Sequence, residues 1–75
     1  MPDDESTTAE EWIAAFADEI GTEPPSRKQF GALLKLAATA AHASERTAAP
    51  LACYLAGVTG RDPAELDEVA RRIGG

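Results

Sequence analysis

The sequence predicts an all-α protein, a compact four-helix bundle with a short apolar third helix at its centre. Apolar residues recur at three- and four-residue spacing in four stretches, and no stretch alternates with the period of two that a strand requires. Each stretch is also bracketed by residues that start and stop helices. A chain of 75 residues makes one domain, whose single core leaves only roughly 3–5 kcal/mol of stability.

Residues 1–7, with Pro2 and the run Asp3-Asp4-Glu5, are expected to form a disordered acidic tail, leaving 8–75 as the domain. Helices are expected at about 8–20, 27–43, 50–59 and 63–73. Thr8-Ala-Glu-Glu11 has capping-box spacing, and its acids suit the positive end of a helix dipole. The first helix turns Ile13, Phe16, Ala17 and Ile20 inward, with Trp12 at the edge of that stripe, and stops at Gly21. Pro24 and Pro25 forbid helix until Ser26, which forms a second box with Gln29.

In the second helix Phe30, Leu33, Leu34, Ala37 and Ala41 face inward, while Lys28, Lys35 and Thr39 fall outside. The third lies in the uncharged run from Thr47 to Gly60, with Pro50 at its first position. Leu51, Tyr54, Leu55 and Val58 share one side and Ala49, Cys53, Ala56 and Gly57 the other. A helix apolar all round belongs in a core, and one this short falls well below the ~20 residues that cross a bilayer. Asp62, Pro63 and Glu65 start the fourth, which turns Leu66, Val69, Ala70 and Ile73 inward and ends with Arg71 and Arg72 at its negative pole.

The net charge of −6 argues against nucleic acid and against an anionic membrane surface. Eight acids precede Arg27, whereas from Arg27 onward seven basic residues face five acids, so one end is strongly acidic. A lone Cys53 excludes an internal disulfide and a thiolate cluster for zinc. The acidic start lacks the basic and apolar segments of a secretory signal. The cytoplasm is therefore the expected location.

No catalytic constellation emerges. Cys53 reads as a packing thiol, a single histidine gives no metal cluster, and no cofactor is expected. Glu10, Glu11, Asp18, Glu19, Asp67 and Glu68 read as solvated outer faces, and Asp62 and Glu65 as caps. His42 and Arg46 bracket the turn into the third helix, whose free N–H groups favour an anion, with Thr47 and Pro50 completing that surface. Two readings of this cluster stand: a site for a phosphate-bearing ligand or partner, or a complement to the negative end of the second helix. A different surface, carried by Glu11, Trp12, Asp18 and Glu19, is expected if the chain instead docks a basic protein or a second copy of itself. The expected oligomeric state is a monomer or a weak homodimer.

Glu11-Trp-Ile, Leu33-Leu-Lys-Leu-Ala37, Ala41-His42, Arg46, Ala49-Pro-Leu51 and Tyr54-Leu-Ala-Gly57 together resemble a small bacterial domain of unknown function. That domain occurs alone or fused to the carboxyl end of the molybdenum-cofactor guanylyltransferase. The resemblance spans about residues 9 to 73. It implies a helical accessory protein in cofactor maturation whose partner is the guanylyltransferase, the pterin cofactor or a molybdoenzyme. The transferase chemistry itself is not expected, because the chain has no Gly-rich nucleotide loop.

Overall fold

The computed structural model describes residues 8–74. They form α1 (Ala9–Ile20), α2 (Arg27–Ala43), α3 (Ala48–Thr59) and α4 (Pro63–Ile73), with no strand among the described residues. The expected tail, 1–7, lies outside the described residues. The fold is all-α, as the periodicity predicts.

Local sequence sets the helix ends. At α1, Glu11 N–H donates to Thr8 Oγ1 and Thr8 N–H donates to Glu11 Oε1, both at 3.1 Å. At α2 the same reciprocal box joins Ser26 and Gln29, at 2.9 and 3.1 Å. Gly21 (φ 80°) and Gly60 (φ 69°) end α1 and α3 in the left-handed region, where a side chain is strained. The Asp62 carboxylate accepts the Ala64 N–H at 3.0 Å, and Pro63 opens α4. Glu65 makes an exposed ion pair with Arg61 at 3.5 Å.

The expected centre is corrected. α2, not α3, occupies it, packing along both α3 and α4. Leu36, absent from the expected inward set, is the largest buried core side chain; Ala17 and Ala56 are the other buried apolar residues. The reason lies in side-chain size: Ala32, Ala37, Ala38, Ala40, Ala41 and Ala43 thin α2 on several sides, so two helices approach it closely.

α3 packs through its small residues. Ala56 is buried and Ala49, Ala52 and Cys53 are half-buried, while Leu51, Tyr54, Leu55 and Val58 point to solvent at 59–68 % exposure. α3 also begins at Ala48, so Pro50 is its third residue and not its first.

Four other residues expected inside are exposed: Phe16, Ile20, Leu34 and Ile73. α1 docks by the other side of its stripe, through buried Ala17 and half-buried Ile13, which shares a cavity with Phe30, Leu33 and Leu34. Trp12 and Phe16 stack on one another outside it, ring centroids 5.2 Å apart. An exposed Arg27–Glu10 pair at 3.8 Å also joins α1 to α2. The molecule measures 39 × 24 × 18 Å, and no described helix is long and apolar enough to cross a membrane.

Candidate functional site: a charged groove between α2 and α4

α2 and α4 bring seven charged groups together from two separate stretches of the sequence. Between them runs an open groove of 770 Å³ lined by Arg27, Lys28, Lys35, Asp67, Glu68, Arg71 and Arg72. It continues into a second hollow of 540 Å³ that shares Lys35 and Arg71 and reaches Thr39 and His42.

Asp67 lies in the wall between α2 and α4 and is 3 % exposed, correcting its reading as a solvated residue. Its carboxylate accepts the Thr39 hydroxyl at 2.5 Å and the Arg71 Nε–H at 2.9 Å. Thr39, expected outside, thus faces α4. The Thr39 hydroxyl chiefly, then the Arg71 guanidinium and the charge of Lys35, hold the Asp67 carboxyl below the ordinary carboxylate range, outweighing desolvation that pushes it up. Burying a carboxylate is costly unless its oxygens are hydrogen-bonded; here both are. The arrangement ties α4 to α2 across 28 residues of sequence and fixes Arg71, which lines the groove, by its Nε.

The residues expected at the α2–α3 turn are divided. His42 lines the groove's end; Arg46, Thr47 and Pro50 are exposed and line neither hollow. At the start of α3 two backbone donors are engaged: Ala48 N–H donates to Glu45 O at 2.8 Å and Ala49 N–H to Arg46 O at 3.2 Å, while Pro50 has none. Thr47, itself in the right-handed helical region, makes no side-chain cap. The structure does bring Lys35, Thr39, Asp67 and Arg71 together. The sequence signal was an Asp and an Arg four apart in α4, a spacing shared by ordinary surface pairs.

Glu11, Trp12, Asp18 and Glu19 are all exposed on α1, with Trp12 in the aromatic stack. The Cys53 Sγ–H points at Leu33 O, 3.8 Å away, and burial pushes its thiol up from the ordinary value. No group of three His, Cys, Asp or Glu among the described residues could hold a metal ion.

Fold and groove together define a small all-α domain with a mainly cationic cleft and an acidic first helix that meets it through the Arg27–Glu10 pair. The chain belongs to the family described as Domain of unknown function (DUF6457), whose model matches residues 4–74. No curated protein and no solved structure matches the chain.

Proposed function

We propose that this chain is a non-enzymatic accessory protein that binds a phosphate-bearing ligand, or a partner presenting one, in the α2–α4 groove. The observation that carries this reading is Arg71, anchored by the buried Asp67 and flanked by Lys35, Lys28, Arg27 and Arg72. A guanidinium held by one nitrogen offers its remaining donors in a fixed plane, which suits two oxygens of a phosphate better than a free lysine does. On a chain of net charge −6, five cations against two acids, Asp67 and Glu68, along one groove give a local attraction that the rest of the surface opposes.

The pathway comes from the resemblance in sequence. A domain similar to those fused to the molybdenum-cofactor guanylyltransferase belongs with maturation of molybdopterin guanine dinucleotide, in the cytoplasm. Its ligand would then be the phosphates of the cofactor or nucleotide, met alone or on the guanylyltransferase. The test is a two-dimensional NMR titration of labelled protein with inorganic phosphate, a guanine nucleotide and the guanylyltransferase. Expected are shifts centred on Lys35, Thr39 and Arg71, and an affinity about tenfold weaker in Arg71→Ala, near 1.4 kcal/mol. Shifts confined to Arg46 through Leu51 would return the site to the α2–α3 turn, and none with any ligand would end the proposal.

A second reading places a basic protein partner on α1. Its observation is the half-exposed Trp12–Phe16 stack beside Glu11, Asp18 and Glu19, an aromatic anchor with an acidic rim. Shifts at these residues with the protein partner, and none in the groove, would select it.

A further inference from the structure

We infer that the groove's two hollows divide one ligand between them, a phosphate monoester: the phosphate lies in the first hollow and a compact, uncharged organic group in the second. This rests on the reading of the groove as an anion site and adds the class of phosphate it takes. The hollows meet at Lys35 and Arg71, which line both. Beyond that junction their chemistry differs. The first adds Arg27, Lys28 and Arg72 against Glu68, while Asp67 is already engaged through both oxygens. Among the described residues, the second adds no Lys, Arg, Asp or Glu. A second phosphate there would have to share Lys35 and Arg71 with the first.

The helix dipoles act in the same sense. The first hollow is lined by α2 between Arg27 and Lys35 and by α4 between Ala64 and Arg72; the second by α2 between Lys35 and Ala43 and by α4 between Ala70 and Gly74. The two helices therefore run in one direction along the groove. Both positive poles lie at the first hollow and both negative poles at the second, which favours an anion in the one and opposes it in the other. What the second hollow offers is room and neutral contact. Its 540 Å³ is within the range of small-ligand sites, roughly 300–1,000 Å³. Ala38, Ala43, Ala70 and Gly74 give it small apolar walls, and Thr39 and His42 stand among them. The Thr39 oxygen, its proton given to Asp67, can still accept a hydrogen bond from the organic group. His42 then meets the uncharged part of the ligand and not the anion.

The test is a two-dimensional amide NMR titration of the full chain with orthophosphate, tripolyphosphate and phenyl phosphate. Orthophosphate and tripolyphosphate should shift Lys28, Gly31 and Lys35 and leave His42 and Ala43 unmoved. Phenyl phosphate should shift both groups and bind about tenfold more tightly than orthophosphate, the gain from burying about 60 Å² of ring. Ala38→Phe, at an exposed position in the wall of the second hollow, should abolish that gain while leaving the orthophosphate affinity within about twofold. If that variant loses its helical circular dichroism, Ala43→Leu in the same wall carries the same expectation. Tripolyphosphate shifts at His42 and Ala43 would show that the second hollow takes an anion and would overturn the proposal. So would phenyl phosphate binding no tighter than orthophosphate, or a gain that survives the filled hollow; in each of these cases the groove would remain an anion site. No shift in the groove with any of the three ligands would remove the anion site itself, and the proposal with it.

Discussion

Asp67 accepts one hydrogen bond on each oxygen and couples α2 to α4 through Thr39 and Arg71. Its native pKa is depressed, so protonation favours the unfolded chain. The stabilisation is complete above the unfolded value, about 3.9, and is lost as pH falls through the lower native one. Thermal melts should therefore lose stability below about pH 4, and Asp67→Asn should melt lower at neutral pH and show a flatter acid limb. Equal acid limbs in both proteins would remove the linkage. Leu36 is the apolar counterpart. Its truncation to Ala leaves a void between helices that cannot fully close and should cost about 3 kcal/mol in urea unfolding, most of the margin of so small a domain. A loss below about 1 kcal/mol would mean the site collapses freely.

At the scale of the helix, ends and interiors obey different physics. Ser26 and Thr8 each satisfy an amide that the helix leaves without a partner, so Ser26→Ala should cost about 1 kcal/mol with no change of fold. Gly57, inside α3, meets no atom within 4 Å where a Cβ would stand, and its φ is not in the left-handed region. Gly57→Ala should stabilise by roughly 0.5–1 kcal/mol through helix propensity alone. Gly60 is equally open but has φ 69°, so the same substitution there should destabilise. Chemical unfolding of the pair tests whether backbone conformation or space decides; two changes of like sign would contradict the assignment.

Across the whole molecule, charge is sorted by element. α1 has no basic residue, and its Trp12 lies half-exposed between Glu11 and the remaining acids. Trp12 fluorescence should therefore be quenched more by caesium than by iodide, with the difference shrinking as salt shortens the screening length to about 3 Å at 1 M. Equal quenching at low salt would show that the acidic field does not extend over the indole. Five of the seven cations meanwhile line the α2–α4 groove, where Arg27 also pairs with Glu10 of α1.

The four helices, both capping boxes, the glycine stops and the proline start of α4 were legible in the amino-acid order, because each rests on interactions within four residues along the chain. The acidic character of α1 was equally plain. Position in the bundle was decided only by tertiary packing. Apolar content pointed to α3 as the centre, but close approach depends on small side chains, and the alanines of α2 admit two neighbours where the leucines of α3 would hold them apart. The groove followed from the same choice. Thr39 and Asp67 looked like solvated residues in their own helices, and became a hydrogen-bonded pair, one half-buried and one buried, because α4 lies against that side of α2, a relation between residues 28 positions apart that no local pattern encodes.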